Sequence, residues 1–183
     1  MAPKQTPKQK PKAIESNSED EIETPSLHSE KLRMSYQIAR GEMGVLTFEP
    51  YKSMLLPYWR FRTPDIARKS SQDLWSKFVQ FGKKGDFVGM DMTRKFIQMG
   101  MTRAKRYANH KGGKKYEAKV GENGTRKQLP TSKGHKDKEE KEEASRIFKE
   151  MWQKCKEDEV YIDLKEKFQA EQKEWKKNHV VED

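Results

Sequence analysis

The 183-residue chain predicts a mostly α-helical protein: a single compact helical domain with at most a short strand element, a C-terminal helical hairpin and a disordered N-terminal tail. Three observations carry that expectation. Apolar residues recur every three to four positions over four long stretches. Three of those stretches open on residues that start helices: Thr63-Pro64-Asp65, Asp86 and Asp158. β-prone runs are short; the clearest is Gly44-Val-Leu-Thr-Phe48.

Residues 1–30 read as the tail. The first twelve are Lys/Pro/Gln-rich with four Lys and no acid, and the next eighteen hold six acids and no base. Neither block has enough apolar groups to offset the entropy of ordering. A solvated tail is the reading the composition favours; the alternative is an arm for nuclear import or polyanion contact. Residues 31–176 form the expected domain, with 117–137 a flexible basic loop inside it and 177–183 a C-terminal tail.

Gly44–Phe48 reads as one strand or an extended loop before Pro50. Aromatics and arginines then alternate through Tyr58-Trp59-Arg60-Phe61-Arg62. The first long helix starts with Thr63 as N-cap and Pro64 in its first turn. Ile66, Ser70, Leu74, Phe78 and Phe81 make one face, and Gly82 to Gly85 ends it. The second helix begins near Asp86, with Val88, Met92, Phe96, Met99 and Tyr107 on one side. Gly89 and Gly100, eleven residues apart, lie close to three full turns from each other and so on one face. Such a pair suggests close approach of another backbone; two tolerated glycines are the alternative. A third helix over 138–156 carries Ala144, Ile147, Phe148, Met151, Trp152 and Cys155 as a stripe. A fourth, capped by Asp158, carries Tyr161, Leu164, Phe168 and Trp175.

Composition narrows the function. The apolar fraction, 32%, is low and the charged fraction, 37%, high, yet residues 44–108 hold most of the Phe, Met and Trp, so a core is attainable. The net charge is +10, and residues 31–119 hold 20 Lys and Arg against 7 acids. That excess favours association with polyanions. Cys155 is the single cysteine, so no intrachain disulfide forms, which fits a reducing compartment. One Cys and four scattered His residues do not make a zinc site, and no metal or cofactor is expected. No segment is apolar enough to span a membrane, and the N-terminus lacks the apolar stretch of a secretory signal. The expectation is a monomer without membrane association, cytoplasmic, with a nuclear location as the alternative if the Lys/Pro-rich tail directs import.

Several strings are long enough to compare with known families: Arg40-Gly-Glu-Met-Gly-Val-Leu, Glu49-Pro-Tyr-Lys-Ser, Leu56-Pro-Tyr-Trp-Arg-Phe-Arg-Thr-Pro64, Gly85-Asp-Phe-Val-Gly-Met-Asp-Met-Thr-Arg-Lys-Phe-Ile-Gln-Met-Gly100 and Thr102-Arg-Ala-Lys-Arg-Tyr-Ala-Asn-His-Lys-Gly-Gly-Lys-Lys-Tyr116. They resemble a family of small proteins of bacteria, bacteriophages and fungi known only as a domain of unknown function. Ile147–Trp152 and Asp158–Lys165 resemble its closing helices, so the resemblance covers roughly residues 36–176. It implies one intracellular domain with the hairpin packed on the core, and it carries over no catalytic residue. The family pattern usually has Pro after the Asp matching Asp158, where this chain has Glu159.

The densest charge lies in Met99–Tyr116, which holds Arg103, Lys105, Arg106, Lys111, Lys114 and Lys115 and no acid. Arg103, Arg106 and His110 share a helical face, and the lysines continue past the helix end around Gly112-Gly113. A helix C-terminus disfavours an anion by a few tenths of a kcal/mol (roughly); several cations that each displace a counterion outweigh that. The competing reading is that the cations stabilise the helix end and a solvated loop. Tyr107 and Tyr116 offer stacking surfaces, as do the aromatics beside Arg60 and Arg62. Trp59 and Phe61 read equally as inward residues with Arg60 and Arg62 facing out, which the period-2 alternation favours.

The expected function is polyanion binding, nucleic acid with RNA favoured, through Arg103, Arg106, Tyr107, His110, Lys111, Lys114, Lys115, Arg60 and Arg62. Two alternatives stay open. One is a small enzyme acting on a phosphate-bearing substrate, with Asp86 and Asp91 as the carboxylates to consider. The reading leans against it, because nucleophile, base and oxyanion donor are not all found. The other is an interaction module using Phe148, Trp152, Phe168 and Trp175 of the hairpin, a stripe that more often forms core.

Overall fold

The computed structural model describes residues 21–179. They form six α-helices: α1 (Glu30–Ser35), α2 (Tyr51–Leu55), α3 (Pro64–Lys84), α4 (Phe87–Asn109), α5 (Lys138–Glu157) and α6 (Glu159–Asn178). Short 3-10 turns lie at Pro25–Leu27, Leu56–Tyr58 and Lys111–Gly113. The long helices start where their capping residues place them. The Thr63 side chain accepts a hydrogen bond from the Ile66 N–H, Asp86 from Gly89 at 3.0 Å and Asp158 from Tyr161 at 2.8 Å. Each cap satisfies a backbone donor that the first helical turn leaves free. Glu159 in place of Pro therefore does not loosen the start of α6. Between α3 and α4, Gly85 turns the chain at φ +77°, a left-handed conformation that suits glycine.

α4 is the axis of the fold. It packs against α3, α5, α6 and α2, and from Phe87 to Gly100 every residue except Gln98 is buried. The single apolar side expected for this helix is therefore a whole circumference. Phe78, Phe81, Phe96, Phe148 and Phe168 join in one cluster around it, each large side chain worth about 1.5–3 kcal/mol of burial. The hairpin α5–α6 thus lies on the core: Phe148 and Phe168 are buried, and Trp152 and Trp175 are partly so. Along α3, Ser70, Leu74, Phe78 and Phe81 are buried as expected, whereas Ile66 in its first turn is 38% exposed.

The two helix glycines admit aromatic rings rather than a second backbone. A Cβ on Gly89 would collide with the Phe81 ring of α3, and one on Gly100 would lie 2.5 Å from the Phe148 ring of α5. Close packing is right in kind, but its partner is a side chain, because flat rings fill the grooves that the missing Cβ atoms leave.

Three further expectations change. Gly44–Phe48 is neither strand nor extended loop: Met43, Val45 and Thr47 donate their N–H groups to carbonyls three residues back, and Gly44 sits at φ +83°. Successive turns satisfy the backbone locally and bury Val45 without a partner strand. The β pairing found among the described residues is an isolated bridge, Tyr116 with Gln128, at the edge of the expected 117–137 loop. Finally, residues 21–30 fold onto the body, which shortens the expected tail; residues 1–20 and 180–183 lie outside the described residues. Ser26 is buried, its N–H donating to the Tyr51 hydroxyl at 2.8 Å and its hydroxyl to Asp86 at 2.8 Å.

That contact belongs to a set of buried charges along α4. The Asp86 carboxylate also accepts from the Tyr51 hydroxyl at 2.5 Å. One helical turn on, Asp91 accepts from Tyr36 at 2.5 Å, Tyr161 at 2.7 Å and Arg94 at 2.7 Å. The Lys95 ammonium donates to the carbonyls of Gln37 and Met43, both at 2.9 Å, and lies over the Tyr36 ring. Burial, then the neighbouring carboxylates, push the hydroxyls of Tyr36, Tyr51 and Tyr161 well above the ordinary tyrosine pKa. Burial lowers Lys95 to about 8 despite the attraction of Asp91.

Candidate anion-binding surface

α4 stops at Asn109, and its last carbonyls find donors outside the helix. The Arg106 carbonyl accepts from the His110 N–H at 2.9 Å. His135 Nε2 donates to the Ala108 carbonyl at 3.0 Å, and the Ser132 N–H donates to Asn109 at 2.7 Å. The Ser132 hydroxyl accepts from the Lys111 N–H at 3.1 Å. These donors blunt the negative end of the helix, which otherwise opposes an anion. Sequence reasoning missed Ser132 and His135, since both lie more than twenty residues from the carbonyls they cover.

Around this end the expected cations split into two kinds. Lys105, Lys111 and Lys114 are exposed, and Arg103 and Lys115 are half-buried. Arg106 is tied inward: its Nε donates to the Gly113 carbonyl at 2.7 Å, which locks the Lys111–Gly113 turn. None of these six forms an ion pair with a described residue. His110 departs from the expected exposed face. The helix ends one residue before it, so its ring turns into the protein, where it is 6% exposed and its Nδ1 has no partner among the described residues.

The aromatic–arginine segment meets the same region. Phe61 packs edge-on against Tyr107 at 5.5 Å and at a tilt against Trp59 at 5.1 Å. Trp59 and Phe61 are half-buried, while Arg60 and Arg62 are exposed, which is the alternation read from the sequence. Tyr107 is a packed ring: Gly113 lies against one part of it, and the Lys141 ammonium sits over both it and Phe61. Lys141 also donates to the Arg62 carbonyl at 2.6 Å, so α5 fastens the two segments together. Burial lowers the Lys141 ammonium below its ordinary value, with Asp137 and Glu140 opposing. Tyr116, by contrast, is 45% exposed, with the Lys115 ammonium 5.5 Å from its ring centre.

The pair of carboxylates considered for catalysis is used up by structure. Asp86 and Asp91 are both fully buried, and they bond to separate sets of partners, Ser26 and Tyr51 on one side, Tyr36, Tyr161 and Arg94 on the other. Among the described residues, no helix is long and apolar enough to cross a membrane.

The chain belongs to the family described as Domain of unknown function (DUF4385), whose model matches residues 19–171. The match begins before Ser26, in keeping with the place of that residue in the core. No curated protein and no solved structure matches the chain.

Proposed function

We propose that this protein binds nucleic acid, with RNA favoured over duplex DNA, through the C-terminal end of α4 and the turn that follows. One observation carries the reading: six cations stand between Met99 and Tyr116 with no acid among them and no ion pair to a described residue. Some surface cations elsewhere are paired, as in Lys69–Asp73, Lys167–Asp163 and Lys177–Glu174. Phosphate contacts fall to Arg103, Lys111, Lys114 and Lys115, with Arg60 and Arg62 on the adjoining segment. Arg106 and Tyr107 hold the turn in shape, and His110 supports it from inside. Exposed Tyr116 supplies the stacking ring that favours unpaired RNA bases. The protein acts as a monomer in the cytoplasm in this reading.

The test is fluorescence anisotropy of the full chain with labelled single-stranded RNA, duplex RNA and duplex DNA across a salt titration. The expected result is preference for single-stranded RNA and a steep loss of affinity with salt, on the order of four to six phosphate contacts. Lys111→Glu with Lys114→Glu should weaken all binding and leave helix content unchanged. Affinity equal to wild type in that variant would remove the site from this helix end.

A further inference from the structure

A second cationic site lies on the opposite part of α4. A cleft of about 730 Å³ opens between the Ile38–Gly41 turn and the hairpin α5–α6. Arg94 lines it, with a side chain only 8% exposed. Its Nε is held by Asp91 at 2.7 Å, and its Nη1 donates to Gln98 at 2.7 Å and to the Gly41 carbonyl at 3.1 Å. The contacts fix the guanidinium plane, and the Tyr161 hydroxyl stands against the same group. Arg40, Lys156 and Lys165 also line the cleft, and none of them forms an ion pair with a described residue. Glu166 is the single acid facing them.

The rest of the lining mixes polar Gln98, Gln169 and Tyr161 with apolar side chains. Ile38, Ile162 and Trp152 contribute, and the Lys156 ammonium stands 3.6 Å over the Trp152 ring. The turn that forms one wall is strained. Ala39 has φ +55°, the positive value of a non-glycine residue among the described residues, and Gly41 follows at φ +61°. Such backbone persists where the surroundings hold it, commonly at ligand sites. Here it brings the Gly41 carbonyl onto Arg94.

We propose that this cleft binds a small phosphorylated molecule, its phosphate on Arg94 and its organic body against Trp152 and the isoleucines. The volume falls in the usual range for small-ligand sites, roughly 300–1,000 Å³. Three cations without an acidic partner among the described residues, beside the Asp91-paired Arg94, match a dianion better than a single carboxylate. A concave site floored by a nearly buried arginine admits a small molecule where a polymer would rest on the rim. The site shares no residue with the helix end proposed above, so either reading stands without the other.

The experiment is thermal unfolding of the full chain at constant ionic strength with inorganic phosphate, pyrophosphate or adenosine monophosphate, each at about 1 mM. A rise of about 2 °C or more with at least one of them is expected. The rise should vanish in Arg40→Glu with Lys165→Glu and persist in Lys111→Glu with Lys114→Glu. Should the first double variant fail to fold, Lys165→Gln alone should reduce the rise. No rise with any of the three overturns the proposal. So does a rise that survives the cleft substitutions, or one that disappears with the helix-end pair.

Discussion

Asp91, Arg94 and Lys95 stand in the first half of α4, with Asp86 capping its start, and Arg103, Lys105 and Arg106 stand in the second, on one continuous helix. In the first half every charge is buried and answered, mostly by groups from distant segments: Ser26, Tyr36, Tyr51 and Tyr161 on the carboxylates, backbone carbonyls on the cations. In the second half Lys105 and part of Arg103 reach solvent, Arg106 is tied to the Gly113 carbonyl, and none of the three has an acidic partner among the described residues. The difference lies in what surrounds each half. The 36–51 segment, α3, α5 and α6 close over the first, whereas the second meets Phe61, Ser145 of α5 and the Lys111–Gly113 turn and leaves Lys105 exposed and Arg103 half-buried. One half spends its charge on holding the fold together; the other presents it.

The sharpest way to break that contrast is Asp91→Leu. It leaves Arg94 buried without its carboxylate and two tyrosine hydroxyls without an acceptor, and it should cost about 3–5 kcal/mol, read from urea denaturation. A loss below 1 kcal/mol (roughly the value of a surface pair) would mean that the network contributes little. Gly100→Ala comes next. The added methyl meets the Phe148 ring, and overpacking of that kind costs about 1–3 kcal/mol, against about 1 kcal/mol gained from helix propensity. A net loss in unfolding midpoint is expected, and a gain would show that Phe148 moves aside freely.

Alkaline titration separates the two kinds of buried group. The raised hydroxyls of Tyr36, Tyr51 and Tyr161 stay protonated in the folded protein after the unfolded chain has released its protons near pH 10 (roughly). Their contribution is complete below that pH and is lost as pH rises above it. Lys95 has the opposite sign. Its folded value is about 8 against an ordinary 10.5, so the unfolded chain holds the extra proton between those values and stability from this group rises with pH across that window. Relative to wild type, Lys95→Met should flatten the slope between pH 8 and 10.5, and Tyr161→Phe should soften the fall above it. Identical slopes in wild type and both variants would show that these groups titrate alike folded and unfolded.

Smaller effects test the ends of helices. Thr63→Ala removes the cap of α3 and should lower stability by about 1 kcal/mol, seen as a lower denaturation midpoint. Lys111→Glu with Lys114→Glu should change stability least, within about 0.5 kcal/mol, because neither side chain holds a partner among the described residues. A large loss there would recast the second half of α4 as structural and erase the contrast.

Local signals were enough to place the four long helices, though not α1 or α2. Thr63, Asp86 and Asp158 cap three of them through hydrogen bonds three residues long, and Gly85 ends α3 through its own backbone freedom. Such interactions are complete within a few residues, so the sequence determines them. The concentration of cations from Arg103 to Lys115, and the family itself, were legible for the same reason: both are properties of contiguous residues. The tertiary structure alone decided which charges would be spent. Nothing near Asp91 in the chain announces Tyr36 or Tyr161, and nothing near Ala108 announces His135. Likewise Arg94 lines a cleft only because the Ile38–Gly41 turn and α6 arrive beside it. A carboxylate or guanidinium reads the same in sequence whether it faces water or a hydroxyl from far along the chain; burial, and the partners that burial demands, assign its role.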